Sequence, residues 1–315
     1  MSVFKDHKIS LKQVLEFVPE ALLSHLSATT KVDYYSKVLH GKKMFYLLLF
    51  CIFDNEKLSQ RTLEDTFNSS GFKALFGLGE EEKVRRSSIS ERLSKIDSHY
   101  FKEIYEQMYG RFSELYSKSE IEKYNLIRVD STIVADTCNK LKEGIDQKSG
   151  KKLVKFSFSF DGILPSGVEV FTAQKYSSEE SALPQAILKH TLKEVGHDNI
   201  YVIDRGLQST RTMKEFDEQS IKFIIRSKEN RKFEEIETYL DLENPLKWED
   251  WGLVKDSKVK LFTGKPILNK RGNIHHREEK VETEFRLVII KNEKTNKEFW
   301  FLTNEFELSA KEITD

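Results

Sequence analysis

The chain has 315 residues, of which 38% are hydrophobic and 32% are charged. This composition is typical of a folded globular protein and excludes a disordered one, and the length accommodates more than one domain. Lysine plus arginine and aspartate plus glutamate both number 51, so net charge gives no argument for a nucleic-acid partner, and any DNA surface has to be a local patch.

Neither a disulfide-rich nor a membrane-spanning protein is indicated. Cys51 and Cys138 are the only cysteines and have no CxxC spacing, which excludes a disulfide framework and a cysteine zinc site. The longest apolar run, residues 44–53, is shorter than the roughly 20 residues that span a bilayer. It follows Lys42 and Lys43 well inside the chain, so it does not resemble a signal peptide. A cytoplasmic protein without a membrane partner is therefore expected.

The first part of the chain has apolar residues at helical spacing, which predicts a helical N-terminal domain over residues 1–118. Pro19 interrupts the pattern and predicts two short helices around it. A buried helix and an amphipathic one follow, and Ser59 is expected to cap the second of them. Ser87 or Ser88 is expected to start a later helix.

From Ile121 onward the pattern is typical of strands. The segment LIRVDSTIV predicts a buried strand, and KKLVKFSFSFDG alternates apolar and polar residues. The turn DGILPSG predicts a hairpin. The predicted order is strand, strand, strand, helix, strand, helix, strand, with the first three strands antiparallel and the later ones parallel crossovers.

Two acids lie at unusual positions in these strands. Asp130 lies inside the first strand and Asp204 ends the fourth, and a carboxylate in such a place is costly unless it is paired, hydrogen-bonded or bound to a metal ion. Acids near the ends of neighbouring strands can converge, and two carboxylates held together attract a divalent cation. Oxygen ligands without a cysteine cluster favour Mg²⁺ or Mn²⁺. The alternatives are a purely local hydrogen bond at Asp130 and a rival ligand at Asp136, whereas Asp161 is explained by turn chemistry.

These motifs together resemble a known family. VDSTIV around Asp130, VIDRGLQS around Asp204, FIIRSKEN and the final FWFLTNEFELSAKEITD resemble bacterial insertion-sequence transposases of the DDE class, of the subgroup labelled IS-four type. The resemblance covers essentially the whole chain. It implies an α/β fold: a ribonuclease-H-like mixed sheet with flanking helices, preceded by a helical N-terminal domain and carrying a β-rich insertion. The implied domains are a DNA-binding helical domain at 1–118, the first part of the catalytic core at 119–231, the insertion at 232–300, and a return to the core at 301–315.

The resemblance implies phosphoryl transfer on DNA. In such enzymes three acids hold two divalent ions about 4 Å apart. Asp130 and Asp204 would be two of these catalytic, metal-binding acids, with Mg²⁺ or Mn²⁺ as the cofactor. Arg205 and Arg226 are expected to contact phosphates as DNA-binding residues. The implied partners are terminal inverted repeats and target DNA, bound by a homodimer at the nucleoid.

A basic cluster in the helical region is a second candidate DNA contact. The cluster precedes and enters a predicted helix, where basic side chains and free backbone amides favour phosphates. A solvated helix face is an equal alternative, because three acids at positions 80–82 lie alongside. The candidate DNA-binding residues of this cluster are Lys83, Arg85, Arg86 and Arg92.

The C-terminus raises a question about activity. In the family, the final segment leads into a helix that carries a tyrosine, an arginine, the third acid and a lysine, whereas this sequence ends at Asp315. Glu305, Glu307 and Glu312 lack the family's surrounding pattern. The expectation is a truncated transposase with impaired cleavage. A non-catalytic DNA-binding fragment that represses transposition and a stand-alone nuclease are the alternatives, because fold does not fix function.

Overall fold

The computed structural model describes residues 17–54, 58–114, 125–135, 143–193, 198–240, 246–268 and 274–315. The chain divides into two units, Met1–Tyr116 and Ser117–Asp315. Among the described residues, no helix is both long and apolar enough to cross a bilayer.

The first unit consists of helices and loops in its described part. Their apolar faces form two core clusters, one around Met44, Leu47 and Phe67 and one around Leu23 and Tyr100. The helices are α1 (Glu20–Thr30), α2 (Gly41–Asp54), α3 (Gln60–Asn68), α4 (Ser70–Phe76), α5 (Arg86–Lys95) and α6 (Ser98–Ser113).

Local signals set where two of these helices begin. The predicted cap of α3 is confirmed, because the Ser59 hydroxyl accepts a hydrogen bond from the backbone N–H of Thr62 at 3.1 Å. Helix α1 begins at Glu20, directly after Pro19, which occupies the N-cap position. The helix predicted before Pro19 lies outside the described residues.

The second unit begins with four strands, continues with two helices that alternate with two strands, and then adds a run of five strands before a short final helix. Its elements are β1 (Asn125–Ala135), β2 (Ile145–Asp146), β3 (Lys152–Phe160), β4 (Pro165–Phe171), a 3₁₀ turn (Gln174–Tyr176), α7 (Glu179–Lys193), β5 (Asn199–Ile203), α8 (Thr210–Glu218), β6 (Lys222–Ser227), β7 (Phe233–Thr238), β8 (Lys247–Trp248), β9 (Trp251–Leu268), β10 (Ile274–Asn292), β11 (Glu298–Thr303) and α9 (Ala310–Thr314).

One large mixed sheet contains these strands in the order β2-β3-β1-β5-β6-β11-β10-β9-β7, with β4 beside β3 and β8 beside β9. Strand β3 is antiparallel to β1 and β4, whereas β1, β5 and β6 are parallel to one another, as the sequence predicts. Strands β7, β9 and β10 continue this same sheet through β11, which pairs with β6. The strand-rich segment thus extends the sheet of the core strands.

Both faces of the central strands are covered. Helices α7 and α8 pack on one face, and Val129, Ile203 and Ile225 are buried beneath them. On the opposite face, Ile200 and Ile224 pack in a cluster that includes residues of α9. Because side chains alternate along a strand, the position after Val129 or Ile203 belongs to the face that α7 and α8 do not cover.

Strand β3 buries its polar side chains. Lys155, Ser157 and Ser159 are buried, whereas Phe158 is 39% exposed. The buried charge of Lys155 is compensated, because its ammonium donates to the Ser177 carbonyl and to the Glu179 carboxylate, both at 3.0 Å. The alternation predicted from the sequence is confirmed as a strand, but its polar side faces the interior.

Candidate active site

Asp130 and Asp204 come to the same level on two adjacent parallel strands. The register of β1 and β5 sets Val129 opposite Ile203. The next position on β1 is Asp130, and the first residue after β5 is Asp204. In a parallel pair, opposite residues project from the same face of the sheet. The two carboxyl groups therefore belong to one face and one edge of the sheet, although 74 positions separate them in the sequence (204 − 130).

Both acids are exposed to solvent, so their carboxylates remain hydrated. The prediction of a buried strand over residues 126–134 is therefore wrong for its second half, where Ile133 and Val134 are also exposed. The Oδ1 atom of Asp130 accepts a hydrogen bond from the backbone N–H of Ser131 at 2.8 Å. The neighbouring Ser131 hydroxyl is hydrogen-bonded to the buried Ser157 hydroxyl at 2.6 Å, which ties β1 to β3 beside the acid. This local hydrogen bond uses one oxygen of Asp130 and does not bury its carboxylate.

The two arginines predicted to contact DNA lie beside Asp204. Arg205 follows it in the chain, is exposed, and its guanidinium makes a long surface contact of 3.5 Å with Glu229. The register sets Ile203 opposite Ile225, so Arg226 is the β6 residue level with Asp204. The Arg226 guanidinium lies over the Phe299 ring, 4.4 Å from its centroid. Its planar fork is thereby oriented while remaining suited to bidentate phosphate contacts.

A hydrogen-bond network centred on Gln208, which we call the hub, holds the loop after Asp204. The sequence did not predict it. The Gln208 side-chain amide donates to the Arg226 carbonyl at 3.0 Å and its oxygen accepts from the Lys228 N–H at 3.2 Å. The Glu180 carboxylate accepts from the backbone N–H groups of Gln208 and Ser209. These bonds join the loop after β5 to the loop after β6. The sequence feature that pointed to this network was Gln208 in the GLQS segment, four residues after Asp204.

Arg231 strengthens the same hub. Its guanidinium donates to the Ser227 hydroxyl at 3.1 Å and the Thr210 hydroxyl at 3.0 Å, and it also donates to Gln208. Burial lowers the pKa of Arg231 from its ordinary value, and the negative charge of Glu180 opposes that shift. Two charged side chains, Glu180 and Arg231, therefore stabilise the loops that follow β5 and β6.

None of the three acids near the C-terminus joins Asp130 and Asp204. Glu305 is buried, and its carboxylate is paired with the Lys222 ammonium at 2.9 Å. Lys222 begins β6, whereas Arg226 lies four residues further along, roughly 13 Å away for an extended strand. Glu312 is engaged in a capping box at the start of α9. Glu307 is exposed on the same C-terminal segment, beyond the end of β11.

The pairing of Lys222 with Glu305 is an anchor for the C-terminal segment. The hydrogen bond to Glu305 is the main cause that raises the pKa of Lys222 above its ordinary value. A raised lysine pKa means that the pair contributes fully at neutral pH and is lost only as pH rises through the pKa of the folded state. Glu305 is thus fixed in a structural ion pair.

Two further acids were weighed as alternatives in the sequence, Asp161 and Asp136. Asp161 forms the predicted turn, because its Oδ1 atom accepts from the N–H groups of Ile163 at 3.0 Å and Leu164 at 2.8 Å. Asp136 lies outside the described residues. Within the described part of the chain, no group of three or more histidine, cysteine, aspartate or glutamate side chains is arranged to hold a metal ion.

In the helical unit, Arg85 and Arg86 line an open cleft of about 630 Å³ between α3 and α5. Arg61 of α3 lines it too and was missed in the sequence. Helix α5 begins at Arg86, one residue before the first predicted start, and no side chain caps its first amides. Lys83 is exposed in the preceding segment. Three arginines and the uncapped helix amides outnumber the one acid that lines this cleft, Glu64, which leaves an excess of positive charge toward an anion.

The acids beside this cleft face other partners. The Glu82 carboxylate pairs with the Lys43 ammonium, and the hydrogen bond from Lys43 is the main cause that lowers the pKa of Glu82. Glu80 lies 3.9 Å from the buried Lys73 ammonium. Two of the three neighbouring acids are therefore paired within the helical unit, which weakens the alternative of a charge-balanced solvated face.

Arg92 does not belong with the exposed arginines. Its Nε donates to the Leu39 carbonyl and its Nη2 to the Val32 carbonyl, both at 2.8 Å, and Asp33 lies 3.6 Å from Nη2. Burial is the main cause that lowers the pKa of Arg92, and Asp33 opposes it. This guanidinium fastens the segment after α1 to α5, so its contacts explain Arg92 as a structural residue rather than as an exposed phosphate contact.

A pair of substitutions separates these roles. Replacing Arg85 and Arg86 by alanine should weaken DNA binding about tenfold at low salt and leave the melting temperature within about 2 °C, because both side chains are exposed. Replacing Arg92 by methionine should lower the stability by about 2 kcal/mol, because two carbonyls lose charged donors. Thermal denaturation and fluorescence anisotropy on a DNA duplex measure both quantities. Equal losses of stability in the two variants would contradict the assignment.

The second part of the chain matches a known protein family. Residues 122–315 match the family described as "Transposase DDE domain", which is more than half of the chain. The chain therefore belongs to the DDE-domain transposases, a family of transposition enzymes. No curated protein is significantly similar to it in sequence.

A solved structure shows a weak overall likeness. The cryo-EM structure of a piggyBac transposase synaptic complex with hairpin DNA shares 11% identity with this chain, at a TM-score of 0.39. The match covers 93% of this chain and 60% of that one, so the chain spans less than two thirds of its length. A likeness of this size supports no argument about function.

Proposed function

We propose that this protein is a DNA transposase of the IS-four type that cleaves and joins DNA at the ends of an insertion sequence. The observation that carries the proposal is the equivalent level of Asp130 and Asp204 on neighbouring parallel strands in a chain of the DDE family. Strand order β4-β3-β1-β5-β6 with flanking α7 and α8 supports a ribonuclease-H-like core.

The two acids suit a hard divalent cation. Their side chains are exposed carboxylates on one face, and oxygen donors of this kind favour Mg²⁺ or Mn²⁺. A bound cation of this type would supply activation of the attacking oxygen and stabilisation of the leaving oxygen. Asp130 and Asp204 are proposed to hold it. The third acid of the family is left unassigned, because Glu305 and Glu312 have structural partners.

Basic side chains of the protein are proposed to bind and position the DNA. Arg205 and Arg226, next to and level with Asp204, are proposed to bind phosphates beside the scissile bond, which holds the reacting groups in line. The helical unit is proposed to bind the terminal inverted repeats through Lys83, Arg85 and Arg86, and two copies are proposed to act together at the nucleoid on repeats and target DNA. The hub around Gln208 keeps the acid-bearing and arginine-bearing loops in one arrangement.

A DNA-binding protein without full activity is the second candidate. It is favoured by the observation that the described residues bring only two acids to the site. Such a protein would bind the repeats through its helical unit and keep a cleaving transposase off them.

The test is cation-dependent nicking of DNA that carries the flanking repeats. With Mg²⁺ or Mn²⁺ the purified chain should bind the repeats and nick at their ends, and EDTA should abolish nicking without abolishing binding, since cation chemistry and phosphate contacts use different residues. Binding without nicking at any cation concentration would favour the repressor. Nicking that does not depend on repeat sequence would favour the stand-alone nuclease.

A further inference from the structure

Two tyrosines are displayed to solvent on the segment that follows α1. We call residues 31–37 the tyrosine loop. The side chains of Tyr34 and Tyr35 are 69% and 92% exposed, and their ring centroids lie 4.3 Å apart at an interplanar angle of 70°. Aromatic rings usually gain by burial, so an exposed adjacent pair is an unusual surface.

The backbone of the loop is strained at one of these residues. Lys31 and Tyr35 have φ angles of 53° and 72°, in the left-handed region. Lys31 is the C-cap of α1, where a left-handed residue commonly ends a helix. Tyr35 has no such explanation, and a bulky side chain is disfavoured there. Strain of this kind persists where the surroundings impose it and is concentrated at functional sites.

The loop is held firmly from behind. Arg92 donates to the carbonyls of Val32 and Leu39, on either side of the two tyrosines. The Asp33 carboxylate accepts from the backbone N–H of Gly41, the first residue of α2. With hydrogen bonds on both sides of the two tyrosines, the backbone that carries them is preorganised, which lowers the entropy cost of binding.

Cations flank the rings. Lys31 and Lys37 line an open cleft of about 700 Å³ together with Tyr34 and Tyr35. Neither lysine forms an ion pair with a carboxylate in the described part of the chain, whereas Lys95 on the same cleft is paired with Glu91 at 2.6 Å. Of the two acids that line the cleft, Glu91 is paired with Lys95 and Asp97 accepts the backbone N–H of His99. The cleft therefore offers two unpaired ammonium groups beside two exposed aromatic faces.

We propose that the tyrosine loop binds unpaired nucleotides, with a base stacked on Tyr35 and phosphates held by Lys31 and Lys37. Aromatic faces and lysines in one groove are the chemistry that binds single-stranded DNA, since every base has a face that can stack. A duplex presents only base edges and phosphates, which the rings do not match. The inference rests on the proposed function, because it assigns the helical unit a second contact with the same DNA.

The experiment compares two DNA probes on the full chain. One is a blunt mixed-sequence duplex, and the other is the same duplex with a single-stranded thymidine overhang. The wild-type protein should bind the overhang probe about tenfold more tightly. Tyr35→Gly should remove this preference and retain blunt-duplex binding, while the melting temperature stays equal or rises by about 2 °C, because glycine adopts a positive φ without strain. Tyr35→Trp should keep the preference.

A matched control is Phe53→Ser, which removes an aromatic side chain of α2 that is 60% exposed and does not line the cleft. It should leave the preference unchanged. If Tyr35→Gly fails to fold, Tyr35→Asn carries the same test, because asparagine tolerates the left-handed region. A preference that survives the loss of the ring would overturn the inference, as would equal wild-type affinity for both probes. If the wild-type chain binds neither probe at low salt, the proposed function fails with it.

Discussion

Replacing Asp130 or Asp204 by asparagine is expected to abolish detectable Mn²⁺ binding to the protein. The two carboxylates belong to one face at one edge of the sheet, and removing one charge leaves a single exposed carboxylate, which holds a divalent cation weakly. Any cation-dependent nicking should fall by on the order of a thousandfold, since cation chemistry contributes several kcal/mol to the transition state. Isothermal titration with Mn²⁺ and a nicking assay measure the two effects.

The fold should survive these substitutions. Both acids are exposed, so the melting temperature should change by less than about 2 °C, or rise slightly as the repulsion between two carboxylates is relieved. Asp146→Asn is the matched control, because Asp146 is an exposed acid of the same sheet on β2, away from this pair. Undiminished Mn²⁺ binding in Asp130→Asn would show that the cation site lies elsewhere.

The second large effect is expected from Arg286, which holds the C-terminal segment against the long hairpin of β9 and β10. Its guanidinium forms two hydrogen bonds with the Asp256 carboxylate, at 2.8 and 2.7 Å, and both side chains are more than nine-tenths buried. It also donates to the carbonyls of Phe306 and Leu308, just before α9. One buried cation thus joins β9, β10 and the segment that leads into α9.

Arg286→Met should lower the free energy of unfolding by about 3–5 kcal/mol, because it leaves the Asp256 carboxylate buried without a counter-charge. This corresponds to a fall of about 10 °C or more in melting temperature. Tryptophan fluorescence reports this loss selectively, because Trp248, Trp251 and Trp300 all lie in the second unit. Faster proteolysis near residue 306 should accompany it.

Two further variants test the reason given for this expected loss of stability. The double variant Asp256→Leu with Arg286→Met should recover part of the stability, because no unpaired charge remains buried. Lys294→Met breaks the exposed pair of Lys294 with Asp250 on the same unit and should cost less than about 1 kcal/mol. A loss in Arg286→Met no larger than that of Lys294→Met would show that the buried pair contributes little.

Local patterns in the sequence were sufficient for much of the architecture. The change from helical to alternating periodicity predicted helices in the first part of the chain and most of the later order of strands and helices, since side-chain period is a local property of the backbone. The two-residue strand β2 was missed. The unusual acid inside an apolar strand identified Asp130, and the same reasoning found Asp204. The serine cap at Ser59 and the turn at Asp161 are likewise set by neighbours within three residues.

What the sequence could not determine are the contacts between distant segments. Nothing local distinguishes Arg92, which binds two carbonyls inside the helical unit, from Arg85 and Arg86, which remain exposed. Nor does the alternation of β3 show that its polar side is the buried one. That depends on partners from other elements, such as Ser177 and Glu179 for the Lys155 ammonium and Ser131 for the Ser157 hydroxyl.

The sequence by itself singled out Asp130 and Asp204 as candidate acids, because an acid in or directly after an apolar strand is an unusual pattern that can be recognised without knowing the fold. Only the tertiary structure decided that Asp130, Asp204 and Arg226 share one level, because strand register is fixed by pairing between segments far apart in the chain. The same holds for Glu305, whose burial against Lys222 takes it away from that level.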